Sequence, residues 1–233
     1  MANKLSEVLL ADDYKSKPFH VYYEDDRHEM IKYIPADVSL ILDIGCASGR
    51  FGQILKEIRQ VEVWGIEPNE DAASVAGQRL DKVINSTLSD ELDIPEHSFD
   101  CIIFNDVLEH LVDPFGALTY CKKILRNNGY LVISIPNVRY FDNIWKLIIE
   151  KEWKYEECGI LDRTHLRFFT ESSILRTLDD LGFQTELIEG INPVEKKHPH
   201  QSRKFNLLNC ITLGRFRDMR YLQFAIVARP KAN

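Results

Sequence analysis

Three groups of residues in this chain have the types and spacing that chemistry needs. In NDVLEH, Asp106, Glu109 and His110 stand at i, i+3 and i+4, so on a helix start they share one face. Such a set can remove a proton from an acceptor, hold a divalent cation, or do no more than cap a helix. In DRTHLRFF, Arg163, His165 and Arg167 alternate, and an extended backbone throws all three to one side. His165 there adds a base, and the arginines grip a phosphate or carboxylate or else pair with local acids such as Asp162. In LILDIGCASGRFGQIL, Asp43 closes an apolar run and Gly45 and Gly49 open the turn beyond it, where glycine lets backbone approach a ligand. Glu67 follows Gly45 by 22 residues, at the end of the next apolar run, a spacing from which a carboxylate accepts both hydroxyls of a ribose.

The elements that must position these groups alternate along the chain. Buried strands are expected at Ser39–Ile44, Val61–Ile66, Lys82–Asn85, Asp100–Asn105 and Tyr130–Pro136, with helices at Arg50–Gln60, Asn69–Leu80 and Asp113–Leu125 between them. That alternation predicts a doubly wound α/β sheet with helices on both faces. Further along, a helix near Tyr140–Glu150, an irregular stretch to Thr170, a helix Glu171–Leu181 closed by Gly182, and strands Phe183–Ile191 and Tyr221–Ala228 are expected. No internal repeat or low-complexity linker is seen, and Trp145, Trp153 and Tyr155 serve either as core or as aromatic walls.

Composition narrows the function classes. With 233 residues, 45% of them hydrophobic, the chain can bury enough surface without disulfide or metal staples. The charge of -7, from 29 basic and 36 acidic residues, disfavours a nucleic-acid partner. Five cysteines form no C-x-x-C pair, the apolar stretch Val8–Ala11 is too short for a signal core, and no run spans a membrane, so a cytoplasmic protein is expected. Against this acidic background, Asn192–Arg220 carries seven basic and two acidic residues. Its length predicts helix within it and a mobile, positively charged lid, broken where His198 and His200 flank Pro199; an anionic acceptor is one reading and a solvated face the other.

Asp43, Gly45, Cys46 and Gly49 with Glu67 one strand later resemble the class I S-adenosylmethionine-dependent methyltransferases. FDCIIFNDVLEHLVDP, LRNNGYLVISIPN and GILDRTHLRFFT resemble a branch that includes ubiquinone-pathway O-methyltransferases and methyltransferases of surface-glycan biosynthesis. The resemblance implies a Rossmann-like seven-stranded sheet, parallel except for an antiparallel last strand. It implies a single methyltransferase domain over 1–233, divided into an N-terminal helical lid (1–35), a cofactor-binding core (36–137) and an acceptor side with the terminal strand pair (138–233).

S-adenosyl-L-methionine is the cofactor so implied. Asp43, Gly45, Cys46 and Gly49 would face its methionine part, Glu67 the ribose, Thr87 and Leu88 the adenine, and Asn105 the amino acid end, with Pro68 and Asp106 as further cofactor contacts. Tyr22 or Tyr23 would offer a ring face to the sulfonium. His110, His165 and Glu109 are the expected catalytic residues, without a metal, and Arg163 and Arg167 the expected acceptor contacts. Some relatives bind a divalent ion through Glu-x-x-Glu-His, whereas this chain has Asp-x-x-Glu-His. The expected reaction is methyl transfer to a small-molecule or glycan-intermediate acceptor, on oxygen. An RNA or protein methyltransferase and a non-catalytic cofactor-binding module stand as alternatives, while Asp43 and Ala47 argue against an NAD-dependent oxidoreductase.

Overall fold

Short apolar runs buried on both faces become the strands here, because parallel strands sandwiched between helices have no polar face to show. The computed structural model describes residue 24 and residues 26–231. Its strands are β1 (Leu40–Ile44), β2 (Glu62–Ile66), β3 (Lys82–Ile84), β4 (Phe99–Asn105), β5 (Leu125–Pro136), β6 (Phe183–Pro193) and β7 (Tyr221–Pro230). They form one seven-stranded sheet in the order β3-β2-β1-β4-β5-β7-β6. The first five are parallel, and β7 runs antiparallel to both β5 and β6.

Strand order reverses between β1 and β4, and ligands of open α/β sheets bind outside the carboxyl ends at such a switch point. Register brings the predicted residues to that edge: Asp43 pairs with Gly65 on one side and Ile103 on the other. Glu67 and Asn105 therefore stand just beyond it on the flanking strands.

Helices cover the sheet through i, i+3 and i+4 apolar positions. Helix α1 (Arg50–Ile58) buries Phe51, Ile54 and Leu55, and a Cβ at Gly52 would come within 2.8 Å of Val63, so glycine lets this helix lie on β2. Helix α2 (Glu70–Ala76) starts on the Asn69 cap, whose side chain accepts from Ala72 N. Helix α3 (Pro114–Ile124) starts on Asp113 capping Gly116 N, with Pro114 in the first turn. Helix α4 (Phe141–Trp145) runs on into a π-helical turn, Lys146–Glu150. Helix α5 (Glu171–Asp180) opens on a Thr170–Ser173 capping box. Two more helices, α6 (Val194–Lys197) and α7 (Pro199–Ile211), lie in the connection to β7.

Several boundaries differ from the expectations. Strand β5 begins at Leu125 rather than Tyr130, because Leu125 pairs with Phe99 across an irregularity in the β4–β5 register. Helix α2 stops at Ala76, leaving Leu80 to fill the space beneath Gly49 and Gly52. Among the described residues before β1 there is a 3-10 helix, His28–Tyr33, preceded by Arg27 in the left-handed region. The connection is broken at His198, as Pro199 requires, and its helices close a separate core of Tyr140, Phe141, Ile160, Val194, Phe205 and Met219. Among the described residues no helix is long and apolar enough to cross a membrane.

Candidate active site

The turn after β1 is built from left-handed residues: Gly45 (φ 68°), Ala47 (φ 50°) and Gly49 (φ 76°). At Gly45 a side chain would strike Val107, and at Gly49 it would meet the Ala76 backbone at 3.1 Å, so the turn stays bare at the sheet edge. Ala47 N donates to Glu67 Oε2 and Asn69 N to Glu67 Oε1, both at 2.9 Å. The carboxylate is thus aimed by two backbone amides, and each oxygen keeps a second lone pair for a hydroxyl donor. Cys46 contributes backbone only: its side chain is buried against Gly65, and burial raises its thiol pKa further than any other influence.

Two orphaned oxygens lie at the carboxyl ends of β1 and β4. Asp43 Oδ1 and Asn105 Oδ1 are buried without a hydrogen-bond partner. Burial, reinforced by Glu67, pushes the Asp43 carboxyl up to about 7. Such groups call for a cationic donor, and the ammonium and sulfonium of S-adenosylmethionine supply that chemistry. Pro68 and Thr87 are exposed beside Glu67 and β3, and Leu88 packs half-buried on the core. Tyr22 and Tyr23 lie outside the described residues.

Asp106 does not join the helix face expected for it. It is left-handed (φ 54°), and its carboxylate takes hydrogen bonds from the Arg27 guanidinium, Gln223 Nε2 and, at 2.9 Å, Ser134 Oγ. Arg27 is itself buried and also donates to Ser134 Oγ at 3.0 Å. Sequence reasoning missed Arg27, Ser134 and Gln223. The last two left a trace as lone polar residues in apolar strands, whereas Arg27 lies 79 residues from its partner with no local signal.

Glu109 and His110 sit in a 3-10 turn, Leu108–His110, and meet His165 from the following irregular segment. Leu166 N and Arg167 N both donate to Glu109 O, at 2.8 and 3.0 Å, which fixes that segment over the turn. The His110 and His165 rings pack edge to face with centroids 4.6 Å apart. His165 Nδ1 donates to Ile160 O at 2.9 Å. Thr164 Oγ1 gives its proton to Asp162, so His110 Nδ1 must be the donor toward Thr164 Oγ1 at 3.0 Å and Thr164 O at 3.2 Å. In the neutral form each imidazole therefore carries its lone pair on Nε2.

Glu109 is 1% exposed, and burial, then the nearby Asp106, holds its carboxyl well above the usual carboxylate range. His110 is pushed down to about 4, first by burial and then by His165. One ligand atom from each of Glu109, His110 and His165 lies within 4.8 Å of the others, a donor set that fits a divalent cation. Asp142, His198 and His200 also bring donors within that distance, but Asp142 is already held by Lys146 at 3.0 Å and Gln201 at 3.0 Å and braces α4 to α7.

Arg163 and Arg167 are not thrown to the same side as His165. A turn at Arg163–Thr164 breaks the alternation, because Asp162 Oδ1 accepts from Thr164 N and Oγ1. Arg163 is exposed and paired with Glu157 at 2.7 Å, and Arg167 donates to Val112 O at 2.6 Å, while His165 is buried.

Residues 7–188 match the sequence profile of a family described as a methyltransferase domain. The chain is 27% identical over 163 residues to the ubiquinone biosynthesis O-methyltransferase of Vibrio atlanticus, covering 65% of this chain and 66% of that protein. It is 31% identical over 102 residues to the enzyme of the same name from Bradyrhizobium diazoefficiens, covering 42% and 40%. The chain thus spans less than two thirds of the length of these relatives. A SAM-dependent methyltransferase from Archaeoglobus fulgidus superposes with a TM-score of 0.64 at 20% identity over 95% of this chain and 99% of that one. A Thermotoga maritima protein described as a SAM-dependent methyltransferase, possible histamine N-methyltransferase, gives 0.61 at 20% over 91% of each chain. At such identity these two likenesses bear on fold alone, but the profile covers most of the chain, and the chain belongs to the methyltransferase domain family.

Proposed function

We propose that this protein, acting as a single methyltransferase domain over 1–233 in the cytoplasm, transfers a methyl group to a hydroxyl of a small-molecule or glycan-intermediate acceptor. The observation that carries the oxygen assignment is His165 Nε2 lying 3.9 Å from Glu109 Oε1 beside the cofactor edge of β4. Displacement at a sulfonium needs alignment of acceptor, methyl and sulfur and no protein nucleophile, but a hydroxyl acceptor must lose its proton. His165 Nε2 takes that proton, and Glu109 offsets the charge the imidazole then bears.

Cofactor positioning follows from the same edge. Asp43 and Asn105 receive the ammonium, Arg27 faces the carboxylate end through the Asp106 network, and Glu67 accepts the ribose hydroxyls. Thr87 and Leu88 border the adenine. Arg163 and Arg167, which flank His165 along the chain, border acceptor entry.

A second reading is favoured by both Nδ1 atoms being tied to carbonyl or hydroxyl oxygens. In it Glu109, His110 and His165 hold a divalent ion that lowers the pKa of the acceptor hydroxyl. Screening hydroxylated acceptors with methyl-labelled S-adenosylmethionine tests the proposal: label on oxygen supports it, and label found only on nitrogen, carbon or RNA refutes it. Activity lost to a chelator and restored by a divalent ion selects the second reading.

A further inference from the structure

The basic residues of the Asn192–Arg220 connection are not used alike. Lys204 lies over the Trp145 ring at 4.4 Å, and Arg220 pairs with Glu195 at 3.1 Å. Arg215 and Arg217 instead line a cavity of about 530 Å³ with Arg139, Asp218, Glu171 and Ser172. That is ligand size, within the range of about 300 to 1,000 Å³. Asp218 does not neutralise the pair, because its carboxylate is taken by Arg139 at 2.6 and 3.4 Å. No acid among the described residues is within ion-pair distance of Arg215 or Arg217. With Asp218 committed to Arg139, only Glu171 on this wall faces the two exposed guanidinium groups, which form no ion pair among the described residues, so the cavity carries excess positive charge in a chain with more acids than bases.

A helix end places the two arginines. Leu213 is left-handed (φ 52°) while 95% exposed, and Gly214 follows at φ 79°. The two residues close the carboxyl end of α7, where Gly214 N donates to Asn209 O at 2.8 Å and Leu213 N to Cys210 O at 3.1 Å, and this turn delivers Arg215 and Arg217 to the cavity.

We propose that Arg139, Arg215 and Arg217 form a binding site for a phosphoryl or diphosphoryl group. Guanidinium forks match phosphate oxygens in paired hydrogen bonds, which lysines do not. The site is joined to the candidate catalytic residues by short stretches of chain. Arg139 follows Ser134, which bonds Asp106, by five residues, and the Thr170 wall follows His165 by five. An extended chain covers at most about 18 Å over that count. Resting on the methyl-transfer reading, the inference is that the acceptor is phosphorylated at a position remote from its reacting hydroxyl, and that this cavity holds the phosphoryl end.

Pyrophosphate and inorganic phosphate are the probes, titrated calorimetrically into the full chain at low salt. Arg215→Gln with Arg217→Gln is expected to weaken pyrophosphate binding at least about tenfold. Glu171→Gln, which removes the one unpaired acid of the cavity wall, is expected to strengthen it. Both variants alter surface residues, and an unchanged Tm confirms the fold. S-adenosylhomocysteine affinity on the same samples reports the methyl-transfer reading separately and is expected not to change. No binding of either probe, or equal pyrophosphate affinity in native and double-variant protein, overturns the site.

Discussion

Glu109 Oε1 lies 3.9 Å from His165 Nε2 in a buried contact, and neither Glu109 oxygen has a hydrogen-bond partner. The nearest group able to share a proton with a carboxyl so placed is His165, with His110 beside it. General acid–base groups contribute about 10² to 10⁴-fold to rate, so His165→Ala and Glu109→Gln are expected to lower kcat by at least about 100-fold on the true acceptor. S-adenosylhomocysteine affinity should stay within about twofold, since the pair acts on the reaction step. Because the Glu109 carboxyl is held high by burial, turnover should rise with pH through a range above that of an ordinary carboxylate, and Glu109→Gln should remove that rise. Equal losses in kcat and in cofactor affinity would make the pair structural.

Glu67 is aimed by Ala47 N and Asn69 N. Hydrogen bonds to a charged group are worth about 1.5 to 3 kcal/mol, so Glu67→Ala should weaken S-adenosylhomocysteine binding at least about tenfold by calorimetry. Removing the carboxylate also strands the two amides, so part of the loss should appear as a lower Tm of the ligand-free protein. Unchanged affinity in a folded variant would remove Glu67 from the ribose site.

The Asp43 carboxyl, pushed up to about 7, ionises more readily beside a bound ammonium. S-adenosylmethionine affinity is therefore expected to fall as pH drops from about 8 to about 6, and Asp43→Asn should flatten that dependence while weakening binding throughout. Stability runs the other way. The folded-state pKa lies above the ordinary 3.8, so the native state binds the extra proton between these values, and ligand-free protein gains stability from Asp43 as pH falls from about 7 towards 4. His110, pushed down to about 4, remains neutral across the affinity window and adds no limb to it. A pH-independent dissociation constant would place the ammonium elsewhere.

The fold was legible because its signals are local. An apolar run ending in Asp43, a turn that only Gly45 and Gly49 enter without strain, and a second run ending in Glu67 each follow from a few adjacent residues. The acceptor side was less so. The alternation of Arg163, His165 and Arg167 reads as a strand until the Asp162 side chain caps Thr164 and turns the chain, a competition between side-chain and backbone bonding that spacing does not reveal. Arg27 meets Asp106 only because the chain folds back across 79 residues, and Asp106 leaves the expected helix face to receive it.

Gly65 tests how far the binding turn depends on packing behind it. The residue pairs with Asp43 across β1–β2, and a Cβ there would overlap Cys46 Sγ and come within 2.8 Å of Leu80 Cδ1. Overpacking a filled core costs about 1 to 3 kcal/mol, so Gly65→Ala should lower unfolding free energy by that amount in urea titrations. Leu80 can give way through its flexible end, but Cys46 stands in the turn itself, so relief must come by moving the backbone between Gly45 and Ala47. That backbone positions the Ala47 amide on Glu67, and cofactor affinity should fall with stability. Cys46→Ala removes the obstructing sulfur, and in the double variant both stability and affinity should recover beyond the sum of the single effects. Additive losses would mean that the strain is absorbed by Leu80 and never reaches the turn.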